Sequence, residues 1–301
     1  MDQKILDYYL KFSLYTNPGC YEDYFRSLPD DVSEIGFLVR KQVIHRVTLR
    51  NGNTKSNADF KYGDMDKVQW WRLRTEDDVL PNAVSMIAEL MRLDGRGFVK
   101  DRDTENKIIV TCRFATILTA SILKSKDIPC RVRVGFSSYT TPGESWDHWI
   151  NQYWDKENKR WVTMDVDNSL ENIGFDPYDM PKEKFDWSAE AYLGIREGRL
   201  DENKFINAGG YKGLETVVWE LFYDFHCLMN NEIIYLHMPN FVAGKFKGLT
   251  EKDFKEIDDL ANLMVDPDGN FDRLKEIWET KKKFRILSGG LISDRDHVKY
   301  K

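Results

Sequence analysis

Three residues far apart in the chain, Cys112, His148 and Asp165, are of the types that together perform nucleophilic acyl transfer. Cys112 follows Thr111 at the start of CRFATILTASILKSK, a stretch apolar nearly all round and therefore read as a buried helix. A thiol at a helix N-terminus faces unpaired backbone N–H groups and the positive end of the helix dipole, and both favour the reactive thiolate. His148 lies in WDHWINQYWD, among four aromatic residues, and Asp165 lies in VTMDVD. HWINQYW and RWVTMDV read as antiparallel strands joined by the polar loop DKENK, which puts His148 and Asp165 at the strands' outer ends. A carboxylate there can take the imidazole N–H and leave the other ring nitrogen for a thiol. Singly, each residue has a plainer reading: a small apolar cysteine, a packed strand histidine, a turn-forming aspartate. The conjunction points to catalysis.

The elements that must position these residues follow from periodicity. After the buried helix, Ile128-Pro129 acts as a stop, and CRVRVGFSSY alternates. Cys130, Val132, Val134 and Phe136 fall on one face with Arg131 and Arg133 on the other, the pattern of a strand with one face in the core. Alternation along the next strand sets His148, Ile150, Gln152 and Trp154 against Trp149, Asn151 and Tyr153, with the histidine expected to turn inward toward Cys112. Upstream, ILDYYLKFSLY and VSEIGFLVRKQVIHRV place apolar residues at helical spacings, and PNAVSMIAELMRL reads as a helix with Pro81 in its first turn. RNGNTKSNADFKYGD, from Arg50 to Asp64, is polar and turn-rich and reads as a surface loop. Helices are expected near 181–197, 214–230, 250–264 and 270–283. Helices, then a buried helix with consecutive strands, then helices again make an α+β fold. The expectation is a single domain over residues 1–301: a mainly helical part at 1–100, a catalytic core at 101–175 and a helical part at 176–301.

Composition narrows the function classes. Hydrophobic residues make up 42% of the 301, ample for a core. Charged residues make up 31%, mixed in sign, with a net charge of −6, which argues against nucleic acid as partner. The basic patches KKKFR (Lys281 to Arg285) and WWRLR (Trp70 to Arg74) read as solvated faces. No apolar run approaches the length of a membrane span, and the first residues do not read as a secretory signal. The four cysteines, Cys20, Cys112, Cys130 and Cys227, are widely spaced without a CxxC pair. That spacing suits neither a disulfide framework nor a zinc site and fits a reducing cytoplasm. His226 and Cys227, adjacent on a helix, diverge; His45 and His297 show no partner in the sequence; Cys130 reads as inert core. No metal or calcium spacing is present, so no cofactor is expected.

The stretch CRFATILTASILKSKDIPCRVRVGF, followed by DHWINQY and RWVTMD, resembles the transglutaminase-like core of the papain-like cysteine-enzyme superfamily. The family pattern is a helix opening with Cys, a G-I-P-x-R segment, a Gly-Tyr/Phe strand end, H-x-W-x-E-x-Y and W-x-x-x-D. More narrowly, DHW with the following YW, the Phe175–Pro181 segment and a helical C-terminal half look like a group of bacterial transglutaminase-domain proteins, over most of residues 80–240. The resemblance implies a buried helix packed on an antiparallel sheet, flanked by N- and C-terminal helices. It makes Cys112 the nucleophile, His148 the base and Asp165 the orienting acid. Two departures are Asp127, where the family commonly has Gly before Ile-Pro, and Asn151 in place of the acid of H-x-W-x-E. Many such enzymes complete the oxyanion hole with an upstream Trp or Gln; Trp70 and Trp71 are the candidates here, equally readable as core or cleft wall. Trp146, Trp149 and Tyr139 suit either a substrate cleft or plain core packing.

The expected activity is hydrolysis of an amide or peptide bond on a protein, peptide or other amide substrate. Amine transfer is the alternative chemistry, and a catalytically silent transglutaminase-like scaffold the alternative class. Loss of a triad member would favour the scaffold; all three residues are present.

Overall fold

Helix α6, Cys112–Ser125, is buried along its entire length, as its all-round apolar pattern predicts. The computed structural model describes residues 1–46, 67–69, 72, 76–235 and 237–288. The chain divides into two compact units, Met1–Val132 with Trp149–Lys182, and Arg133–His148 with Glu183–Lys301.

In the first unit α1 (Gln3–Leu10), α2 (Glu22–Arg26), α3 (Val32–Gln42), α4 (Glu76–Val79) and α5 (Ala83–Leu93) precede α6, with α2, α3 and α5 packed against it. Phe25, Ile35, Val39, Met86, Ile87 and Leu90 from these helices and Phe114, Ile117 and Leu118 from α6 are essentially inaccessible. Burying such side chains contributes about 1.5–3 kcal/mol each. Three hydroxyls inside α6 are satisfied within the helix: Thr116 donates to the Arg113 carbonyl (2.6 Å), Thr119 to that of Ala115 (2.9 Å) and Ser125 to that of Ser121 (2.8 Å), whereas the buried Ser121 hydroxyl has no partner among the described residues. The expected start of α5 shifts slightly, because Asn82 caps the helix through Ser85 N (3.0 Å) and Pro81 lies just outside it.

One expectation fails at VSEIGFLVRKQVIHRV. The helix stops at Gln42, and Val43–His45 is a strand, β1, parallel to β2 (Ile108–Val110) with His45 opposite Val110. The β-branched pair Val43-Ile44 gains more from a ladder beside Ile108-Ile109 than from another helical turn.

Strands β3 (Cys130–Ser137), β4 (Ser145–Asp155), β5 (Arg160–Met164) and β6 (Phe185–Trp187) lie in the order β5–β4–β3–β6, with β7 (Phe205–Ile206) on β4, so the fold is α+β. The hairpin across DKENK forms as read, antiparallel from Asp155↔Arg160 to Asn151↔Met164. Strand β3 departs from its alternating pattern: every residue is buried, Arg131 and Arg133 included. In the first unit Arg131 Nε donates to Gln152 Oε1 (2.9 Å), and its guanidinium lies over the Trp161 ring (4.3 Å). Aromatic faces and side-chain acceptors thus replace water around charges that the sequence pattern assigns to solvent.

In the second unit α7 (Ser188–Arg196) packs on α8 (Leu214–Leu228) and on α9 (Glu251–Met264), and α9 packs on α10 (Phe271–Thr280). The expected helix at 181–197 begins only at Ser188, because Phe185–Trp187 is recruited as β6 against β3. That pairing requires Gly135: a Cβ there would stand 2.5 Å from the Asp186 carbonyl oxygen and 2.6 Å from the Phe185 ring. Gly135→Ala is expected to cost about 1–3 kcal/mol. Urea unfolding would show it, and an unchanged midpoint would refute the close approach.

Lys281 and Lys283 of the KKKFR patch reach Glu256 (2.8 Å) and Asp253 (3.0 Å) of α9. Among the described residues no helix is long and apolar enough to cross a membrane. Trp70, Trp71, the Arg50–Asp64 segment and His297 lie outside the described residues.

Candidate active site

Cys112 is the first residue of α6, buried to 5% exposure. Thr111 stands at the cap in extended conformation, and its side chain makes no capping hydrogen bond. The first-turn N–H groups are therefore not taken by the hydroxyl that a threonine commonly supplies there. Beneath the cysteine the fully buried Arg113 donates to the Pro81 carbonyl (3.2 Å) and lies over the rings of Tyr15 (5.0 Å), Phe114 (4.9 Å) and Trp149 (5.8 Å). Trp149 is itself fully buried, so in this structure its ring belongs to the core of the first unit.

An imidazole meets Cys112 within the first unit, and it is that of His45. The ring, 19% exposed, hydrogen-bonds the Cys112 side chain, and its Nε2 lies 3.7 Å from Asp167 Oδ2. Asp167 is fixed in turn: Arg40 Nε donates to its backbone carbonyl (2.6 Å) and stands 3.9 Å from Oδ1, while Arg40 Nη1 donates to the Val43 carbonyl (3.0 Å). Burial alone would push the His45 pKa down. The Asp167 carboxylate and the hydrogen bond and charge of Cys112 outweigh burial and the opposing Arg40 charge, so the pKa is raised.

Asp165 has no exposed surface. Its carboxylate accepts from Asn168 N (3.1 Å) and Nδ2 (2.8 Å), and its own N–H donates to the Pro177 carbonyl (2.7 Å). Both carboxylates of VTMDVD are thus held, Asp165 by the Asn168 turn and Asp167 by Arg40.

His148 belongs to the second unit, near the start of β4, and is 5% exposed. That end of the strand is anchored by the parallel pairing Trp146↔Ile206 and by Asp147 Oδ1, which accepts from Ala208 N (2.8 Å). Trp146 Nε1 donates to Glu144 Oε2 (3.1 Å).

Of the two amides that follow on β4, Asn151 donates to the Thr116 carbonyl (3.0 Å) and ties β4 to α6. Gln152 Oε1 accepts from Arg131, and its Nε2 donates to Thr163 Oγ1 (3.1 Å).

His45 is the residue that sequence reasoning passed over. Its contacts, Cys112 and Asp167, are far away along the chain, and its VIHR setting carries no spacing that signals a site. None of the four cysteines is in a disulfide; Cys20 is exposed and the other three are buried. Among the described residues no group of three or more His, Cys, Asp or Glu side chains could hold a metal ion. Comparison with protein-family models, with curated proteins and with solved structures finds no match for this chain.

Proposed function

We propose that the protein is a cysteine-dependent acyl-transfer enzyme of transglutaminase-like type, with Cys112 as nucleophile and hydrolysis of an amide or peptide bond as its reaction. The observation that supports this most is the thiol itself: a buried cysteine opening a long helix, with an imidazole hydrogen-bonded to its side chain. Helix dipole, first-turn N–H groups and the hydrogen-bonded ring act together to favour the thiolate. In the proposed reaction Cys112 Sγ attacks the substrate carbonyl carbon, and the Cys112 N–H helps to hold the oxyanion. His148, oriented by Asp165, gives the leaving amine its proton, as the family resemblance implies. Water then releases the acyl group; an amine in its place would give crosslinking.

The test is alkylation of Cys112 by iodoacetamide as a function of pH, read by mass spectrometry. An unperturbed thiol titrates near pH 8.5, so a tenfold or greater excess of Cys112 labelling over the exposed Cys20 at pH 6 is expected from an activated thiolate. His45→Ala, which removes the ring hydrogen-bonded to Cys112, should remove most of the excess. Labelling of Cys112 no faster than that of Cys20 at every pH would defeat the proposal and leave a scaffold role.

A further inference from the structure

We infer that His45, anchored by Asp167, is the oxyanion-side imidazole of this site, donating a hydrogen bond to the carbonyl oxygen as Cys112 attacks. The inference rests on the acyl-transfer reading and assigns a role to a residue that the family resemblance leaves unassigned.

Three observations carry it. His45 sits on β1 opposite Val110, and β2 runs from Val110 through Thr111 directly into Cys112. The imidazole therefore stands beside the stretch of backbone that supplies the Cys112 N–H, where an attacked carbonyl turns its oxygen. The ring also lies between two acidic groups, the Asp167 carboxylate at 3.7 Å and the Cys112 thiol. That setting favours the doubly protonated ring, consistent with its raised pKa. An imidazolium has two N–H donors and no lone pair, so it cannot take the proton of Cys112, but it can turn one N–H toward the carboxylate it is paired with and donate the other to an anion. Lastly, the anchor is rigid, since Arg40 clamps Asp167 through its backbone carbonyl and Val43 through its own.

In the resting site the second N–H faces the thiolate. On attack the C–S bond forms and the carbonyl π electrons move to oxygen. His45 then donates to that oxygen without transferring its proton. Collapse re-forms the carbonyl and breaks the bond to the leaving group, which takes a proton from His148 when it is an amine.

Two probes of Cys112 separate this role from that of a base. Iodoacetamide forms no oxyanion, whereas p-nitrophenyl acetate acylates through one and expels nitrophenolate, which needs no proton. Both rates are read at pH 6, and dividing the acylation rate by the alkylation rate of the same protein cancels any change in thiolate fraction. In that ratio His45→Ala should fall about 10²–10³-fold below wild type, the usual cost of one oxyanion donor. His148→Ala should leave the ratio within a few-fold of wild type. His45→Gln, which keeps an N–H donor, should regain part of the ratio, and circular dichroism would verify folding of each variant. A ratio unchanged in His45→Ala would overturn the inference and leave His45 as a thiolate stabiliser. Failure of wild-type Cys112 to outpace Cys20 with both probes would instead remove the acyl-transfer reading itself.

Discussion

Asp224→Ala is expected to destabilise the second unit by about 3–5 kcal/mol, a large share of the stability of an ordinary domain. Asp224 interrupts the apolar run of α8 and has no exposed surface. Its Oδ1 accepts from Arg133 Nε (2.8 Å) and from the backbone N–H of Val134 (2.9 Å). Its Oδ2 accepts from Arg133 Nη2 (2.9 Å) and from Ser188 Oγ (3.3 Å). One carboxylate therefore ties β3 and the first turn of α7 to α8. Arg133, only 4% exposed, keeps a second partner in the face of Trp187 at 4.6 Å. A ring face does not neutralise a buried guanidinium that has lost its counter-ion. Truncation leaves that charge and the Val134 N–H unsatisfied together, which is why the cost exceeds what the pair itself contributes. Asp224→Asn keeps the shape and one acceptor oxygen and should lose less. A double variant, Arg133→Met with Asp224→Leu, removes both charges and should recover most of the loss. Urea unfolding of the three variants decides the matter; a loss below about 1 kcal/mol in Asp224→Ala would mean that the bidentate pair is not what holds these elements.

Arg133 also shows where the sequence stops being legible. Patterns of apolar residues located α6, the β4–β5 hairpin and the last three helices to within a few residues, because each is long and its periodicity decides it. The α+β class followed from their order. The alternation of β3 suggested one wet face, and that was wrong, because nothing in CRVRVGF reveals that Asp224, Trp187, Gln152 and Trp161 will be brought to its arginines. Short strands were invisible for a related reason. β1 and β6 have three residues each, and both form only because a partner strand lies beside them. The same limit governs the site. Cys112 at a helix start could be read locally, whereas the meeting of His45, Asp167 and Cys112 depends on the parallel β1–β2 pair, a non-local contact with no motif of its own. The resemblance pointed to Asp165 within VTMDVD; the neighbouring Asp167 is the carboxylate that faces His45.

Acidification is expected to unfold the second unit through His226, which differs from His45 in the sign of its coupling. His226, on α8, is fully buried; Nε2 lies 2.9 Å from the Phe284 carbonyl oxygen and Nδ1 3.0 Å from Asn231 Nδ2. A carbonyl can only accept, so Nε2 carries the proton and Nδ1 accepts from the asparagine amide. The ring is thus satisfied in its neutral form, with Trp278 edge-on at 4.9 Å and, among the described residues, no carboxylate acting on its charge. Burial pushes its pKa down to about 4, only partly opposed by the Phe284 hydrogen bond. In the unfolded chain a histidine titrates near 6.5. Above that value neither state binds the proton, and the full stability is present. As pH falls below it the unfolded chain takes up a proton that the folded ring refuses, so stability is lost progressively until about pH 4. The difference of about 2.5 units corresponds to about 3 kcal/mol, to be read as an order of magnitude. His226→Gln can still donate to Phe284 and accept from Asn231 but does not titrate. Urea midpoints of both proteins between pH 7 and 4 cancel the contribution of the carboxylates. The wild type should fall further than the variant across that window, and parallel curves would show that His226 accepts its proton without unfolding. At His45 the sign reverses: its raised pKa stabilises the folded first unit below about pH 6.5 and loses that contribution as pH rises through the folded value. Acid therefore loads the two histidines in opposite directions, weakening the fold around His226 while holding the ring beside Cys112 in its donor form.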